Sequence, residues 1–177
     1  GLGGHCIPID PFYLTWKAAE VGQPTRFIEL AGQVNHQMPD YVVHRTMLAL
    51  NGAGKAVKGA KVLVVGLAYK PDVDDVRESP SFELIEKLEE LGAAVDYHDP
   101  HVPATHKMRR YDLQMRSVPL TAEALRGYDV VLIATHHAAV DWALVAEHAA
   151  LIVDTRGVMR RMPAAVRERW GGKVVGA

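Results

Sequence analysis

The sequence holds one cysteine, and the residues around it are those best able to set up chemistry. Gly1, Gly3 and Gly4 precede Cys6, and Asp10 follows it by four residues, with Pro8 and Pro11 on either side of that aspartate. Glycine lets the backbone take positive φ and lets a ligand approach the main chain closely. The prolines oppose both helix interior and central strand. The stretch therefore reads as a fixed loop presenting a thiol, with a carboxylate nearby. A thiolate is a nucleophile for an electrophilic carbon, and a carboxylate can hold or activate water as a general acid or base. A lone cysteine is ordinarily a small buried hydrophobe. Packing alone does not call for three glycines, two prolines and an aspartate around it.

Two further stretches carry charge where a ligand would meet it. The run Lys61-Val62-Leu63-Val64-Val65 leads into Gly66-Leu67-Ala68-Tyr69-Lys70, then Pro71 to Pro80 with Arg77 among several acids. A single glycine follows that strand, so the three-glycine seat for a pyrophosphate is absent. From composition alone the loop reads equally well as a solvated βα connection. Asp154-Thr155-Arg156-Gly157 ends a later strand, where a surface arginine is nearly as good a reading. The histidines assign no metal: His136 and His137 are adjacent at a strand end, where neighbouring side chains point to opposite faces, and no ligand set with metal spacing appears. Arg109-Arg110 and Arg160-Arg161 read as solvated basic pairs.

The elements that must position these residues follow from periodicity. Phe12 to Val21 predicts a short helix stopped by Gly22. Phe27, Leu30, Ala31, Val34 and Met38 recur at helical spacing, and Tyr41, Val42, Arg45, Leu48 and Ala49 continue it. Pro39 is expected to break or kink this helix, or to open a second one. These helices lie outside the repeating pattern and suit either a cap on the next domain or a bridging or dimer surface. From Lys61 the pattern becomes strands alternating with helices. Strands are predicted at 61–66, 94–98, 114–118, 129–134, 151–154 and 173–175. Helices are predicted from Ser79-Pro80 to Leu91, and at 121–125, 140–149 and from Pro163 to Trp170. Alternation of this kind implies α/β architecture with a doubly wound parallel sheet, whose ligands bind beyond the carboxyl ends of the strands. The loops at 66–78, 98–101, 135–141 and 154–160 are therefore the ones that matter.

The totals bound the class. The chain has 177 residues, 49% of them hydrophobic, with Lys+Arg 20 against Asp+Glu 21. That is ordinary for a globular domain with an appendage and gives no basic surface for nucleic acid or membrane. One cysteine excludes an internal disulfide framework and fits a reducing, cytoplasmic setting. No signal peptide or membrane-spanning run is evident. The chain begins without Met inside a loop, and is expected to be part of a longer protein.

The residues quoted for the cysteine loop resemble a known pattern, Gly-x-Gly-Gly-x-Cys with Asp four residues on. It belongs to the nucleotide-sugar 6-dehydrogenases, the UDP-glucose/GDP-mannose dehydrogenase family. Positions 1, 3, 4, 6 and 10 match. His5 before the cysteine and Ile9 before the aspartate look most like the UDP-N-acetylhexosamine branch; UDP-glucose and GDP-mannose enzymes usually have Ser and Lys there. Gly66-Leu67 with Tyr69-Lys70, and Asp74-Asp75 with Arg77-Glu78-Ser79-Pro80, resemble two motifs of the same family's UDP-binding domain.

The resemblance implies a Rossmann-like UDP-binding domain at 57–177, and at 1–56 a cysteine loop plus a helical segment that joins domains and forms a dimer. It implies NAD-dependent oxidation of a UDP-sugar C6 alcohol to the acid, serving surface polysaccharide precursors, with Cys6 as nucleophile and Asp10 on water. Gly1, Leu2, Gly3, Tyr69, Lys70 and Arg156 would contact the substrate, and Cys6 and Arg77 the NAD held by another domain. That NAD-binding domain lies outside this sequence, so the chain alone is expected to be inactive. The rival readings are a UDP-binding and dimerisation module without catalysis, a UDP-glucose 6-dehydrogenase, and, more weakly, a cysteine hydrolase.

Overall fold

The computed structural model describes residues 1–177, with the side chains at positions 166 and 171 outside the described residues. Two helices come first. α1 spans Asp10–Glu20, beginning two residues before the expected start because Pro11 fits the first helical turn. α2 spans Arg26–Gly52 and passes through Pro39 without interruption. The expected break does not occur. Pro39 cannot donate to the carbonyl of Asn35, but its ring is buried, and Val42, Val43, Thr46, Ala49 and Leu50 beyond it are buried too. Burial of that face outweighs one lost hydrogen bond. The helix ends at Gly52, and Gly54 follows at a φ of +72°.

The remainder is a parallel sheet wrapped by helices. β1 (Lys61–Val65), β2 (Ala94–His98), β3 (Val130–Ile133), β4 (Ile152–Asp154) and β5 (Val174–Gly176) stand in the order β2-β1-β3-β4-β5, all pairs parallel. The helices are α3 (Pro80–Glu90), α4 (Ala122–Arg126), α5 (Trp142–His148) and α6 (Ala164–Trp170). Three begin on side-chain caps: Ser79 Oγ accepts from the Ser81 amide, Thr121 Oγ1 from Ala124, and Asp141 Oδ1 from Leu144. The strand expected at 114–118 does not form. Only isolated bridges, Tyr97 with Ser117 and Ala104 with Arg116, are made there, next to Gln114 at a φ of +50° and before Pro119.

Alternation along β1 divides the core. Val62 and Val64 belong to one apolar cluster with α3 and the second half of α2. Leu63 and Val65 belong to another with residues of α4 and α5. Burying both faces is what a β-branched run in a parallel strand requires. The arrangement brings the carboxyl ends of β1 to β4, at Gly66, Asp99, Thr135 and Thr155, to one edge of the sheet.

Candidate functional site

The cysteine loop is seated on the first of those strand ends. A Cβ on Gly3 would come within 2.4 Å of the Glu78 carbonyl oxygen and 2.9 Å of Tyr69 Cβ. Gly4, at a φ of +95°, lies against the Tyr69 ring and donates its amide to the Arg77 carbonyl at 2.9 Å. Only glycine fits either position. On the other side, Leu2 exchanges two hydrogen bonds with the Asn35 side chain of α2, at 2.6 and 3.0 Å. The loop is thus pinned to the sheet and to the long helix. Cys6 emerges from it exposed to solvent. Its carbonyl accepts from the amides of Ile9 and Asp10, at 3.1 and 2.8 Å, which opens α1. Asp10 therefore follows the thiol by one turn, and it too is exposed.

Arg77 lies beside this loop. Its guanidinium grips Asp75 as a fork, Nε and Nη2 donating at 2.6–3.0 Å. That hydrogen bond holds the arginine's pKa above its usual range, with smaller contributions from the charge of Asp75 and, after it, from Tyr69 and Cys6. The same hydrogen bond is the main reason the Asp75 carboxyl is held down. Lys70 is exposed, its Nζ 5.4 Å from the Tyr69 ring centre. Its ammonium is thus free to meet an anion.

At the end of β4 stands Arg156, whose Nε donates to the Ala134 carbonyl and whose amide donates to Asp154 Oδ1 at 2.9 Å. Burial pushes its pKa down. Contacts thus join the loop of Gly1 to Cys6 to Tyr69 and Arg77, with Lys70 next in the chain, while Arg156 stands at the end of β4. Asp10 is near in the chain, but its carboxylate makes no hydrogen bond among the described residues.

Sequence reasoning marked the loops at 98–101 and 135–141 but not the polar residues within them that meet. Asp99 is 2% exposed. Its Oδ2 accepts the amides of Leu67 and Ala68 at 2.6 and 3.0 Å, and its Oδ1 those of His101 and Val102 at 2.8 and 3.1 Å. The ring of His137 meets Oδ2 at 3.0 Å. Burial alone would raise the Asp99 carboxyl, yet the hydrogen bonds from His137, Ala68, His101 and Leu67 bring it down to about 2. Thr135 Oγ1 donates to the Ala68 carbonyl at 2.7 Å. His136 is pushed down by burial and by the charges of Arg161 and Arg156. The available signal was positional: polar residues just after β2 and β3, at the sheet edge where α/β ligands bind.

Asp72, His101 and His137 place ligand atoms within 4.8 Å of one another. Both ring nitrogens of His137 are already engaged, by Asp99 and by the Asp72 amide. His137 therefore has no free lone pair for a cation, while the buried Nε2 of His101 makes no hydrogen bond and lies 3.9 Å from Asp72 Oδ1.

Comparison with known proteins identifies the family. Residues 63–161 match the model of the UDP-glucose/GDP-mannose dehydrogenase family's UDP binding domain, and residues 1–37 match its central domain. The chain is 33% identical over 136 residues to a UDP-N-acetyl-D-glucosamine 6-dehydrogenase of Pseudomonas aeruginosa, covering 77% of this chain and 31% of that protein. It is 34% identical over 137 residues to a UDP-N-acetyl-D-mannosamine dehydrogenase of Methanococcus maripaludis, covering 77% and 29%. A solved UDP-D-ManNAc dehydrogenase from Pyrococcus horikoshii superposes with a TM-score of 0.75 at 28% identity, over 99% of this chain and 38% of that one. The chain thus spans about a third of the length of the curated relatives it matches.

Proposed function

This chain belongs to the UDP-glucose/GDP-mannose dehydrogenase family, and on that premise we propose that it supplies the nucleophile and the UDP grip of an NAD-dependent UDP-N-acetylhexosamine 6-dehydrogenase. In this reading residues 1–56 carry the thiol and the bridging helices, and residues 57–177 bind the nucleotide. The observation that carries it is the seating of Gly3 and Gly4 on Tyr69, which sets Cys6 beside Arg77 and one short loop from Lys70. Lys70 offers a point charge to a diphosphate or a sugar oxygen, and Arg156 adds a second cation at the end of β4.

The residues present fit only one edge of an NAD molecule. Gly66 is used up against the backbone of Thr135, where a Cβ would meet its oxygen at 2.3 Å, so this sheet has no dinucleotide seat. The exposed Arg77 guanidinium suits a pyrophosphate arriving from elsewhere. Bound NAD+ supplies the hydride acceptor for each of two oxidations. Between them Cys6, as thiolate, adds to the C6 aldehyde to give a thiohemiacetal. Oxidation of that adduct leaves a thioester, and water oriented near Asp10 releases the acid and returns the thiol. In this reading the step takes place in the cytoplasm and serves surface polysaccharide precursors. No helix among the described residues is long and apolar enough to cross a membrane.

The test is NADH formation from UDP-N-acetylglucosamine, UDP-N-acetylmannosamine and UDP-glucose by the protein together with any sequence that precedes Gly1. Two NADH per sugar are expected, with an acetamido sugar preferred. Cys6→Ser should stop acid formation; undiminished acid from that variant refutes the nucleophile.

A second role is favoured by the helices. α1 buries no residue, and Tyr13, Leu14, Trp16, Phe27, Leu30 and Val34 are each at least half exposed. A patch of this kind marks an interaction surface, and we assign it to domain bridging and to a homodimer.

A further inference from the structure

The loop that carries Tyr69 and Lys70 is held from below at several points. Its start is fixed by Asp99, which accepts the amides of Leu67 and Ala68, and by Thr135, which donates to the Ala68 carbonyl. Beyond Lys70 the chain turns at Asp72, a residue other than glycine held at a φ of +60°. That conformation is uncommon for a side-chain-bearing residue and needs support from its surroundings. Two bonds supply it. The Asp72 carboxylate accepts the Ala138 amide at 2.7 Å, and the Asp72 amide donates to Nδ1 of His137 at 3.0 Å.

His137 is completely buried. Because Nδ1 accepts a backbone N–H, the ring proton must sit on Nε2, where it is donated to Asp99. The imidazole is therefore a rigid spacer of fixed tautomer. One edge stands on a buried carboxylate at the end of β2, and the other edge supports the turn after Lys70. The ring of His101 packs edge-on against it, centroids 4.9 Å apart.

We propose that His137 is a positioning residue for the nucleotide site, presenting Lys70 and Tyr69 through the Asp72 amide. This rests on the assignment of these two residues to UDP binding. It adds a group from β3's loop that never touches the ligand and acts through the acceptor at Nδ1.

The experiment separates that acceptor from mere stability. His137→Asn places an oxygen near the position of Nδ1 and loses the contact to Asp99; His137→Leu loses both. The two should lose similar thermal stability. UDP affinity, titrated calorimetrically, should fall about tenfold in the leucine variant and less than about threefold in the asparagine variant, the scale of one hydrogen bond. Amide hydrogen exchange at 69–73 should quicken about tenfold in the leucine variant alone. Equal losses of affinity and equal exchange in both variants would overturn the proposal. Asp72→Gly, which relieves the positive φ and removes only the Ala138 anchor, guards against a leucine variant that does not fold. It should quicken exchange at 69–73 at unchanged melting temperature, and unaltered exchange counts against the clamp. Should the unmodified chain fail to bind UDP, the functional reading falls, while the exchange contrast between the variants still decides the role of His137.

Discussion

Gly4 lies flat on the ring of Tyr69, so close that a Cβ there would stand 2.9 Å from Cε2. The contact joins the loop bearing the thiol to the loop bearing the lysine. Gly4→Ala has to displace the ring and tolerate a φ of +95°. It should cost about 1–3 kcal/mol and weaken UDP binding. Gly3→Ala meets a carbonyl oxygen and should cost more. Gly22→Ala, at a φ of +72° with nothing within 4 Å, is the control and should cost about 1 kcal/mol with UDP binding intact. Thermal unfolding and UDP titration of the three variants check this ranking.

Asp99 should make the fold acid-sensitive. Its folded pKa of about 2 lies below the ordinary 3.8. A depressed carboxyl stabilises the folded state fully above its unfolded value, and the contribution drains away as pH falls toward 2. The difference corresponds to about 2 kcal/mol. Asp99→Asn should therefore be less stable than the parent by about that amount at pH 6, with the gap closing toward pH 2. Urea unfolding across this range measures it, and a gap independent of pH contradicts the assignment.

The fork between Arg77 and Asp75 competes with any anion that Arg77 is to hold. In the active full-length protein, Asp75→Asn should lower KM for NAD by about two- to fivefold with kcat little changed, the scale of an exposed pair. Arg77→Lys, which loses the planar fork, should raise that KM by about tenfold. Initial-rate kinetics with NAD varied distinguish the two, and a raised KM in Asp75→Asn would show that the aspartate orients the arginine instead.

The exposed face of α1 and α2 should govern self-association. Phe27, 89% exposed, lies near the start of α2. Phe27→Asp and Leu30→Asp should shift sedimentation toward monomer while leaving the melting temperature within about 2 °C, since neither side chain contributes to the core. Unchanged sedimentation would refute this face as the site of self-association.

Local signals were legible where local physics decides. The strand run at 61–65, the helix opened by Ser79-Pro80 and the stop of α1 before Gly22 appeared as expected. The glycines of the cysteine loop also pointed to a close approach, though not to Tyr69 as the group approached. Pro39 misled because its cost is local and its compensation, the buried face from Val42 to Leu50, is tertiary. At residues 114–118 the expected strand gives way because Gln114 takes a positive φ and only single bridges form. Asp99 and His137 could not be paired by eye because 38 positions separate them. They meet only through the strand order, which lays β1 between β2 and β3.

The tether of Leu2 to Asn35 and of Gly4 to Arg77 sets the loop of Cys6 and the loop of Tyr69 and Lys70 in one frame of reference. A displacement of either loop is thereby transmitted to the other and to the long helix that anchors both.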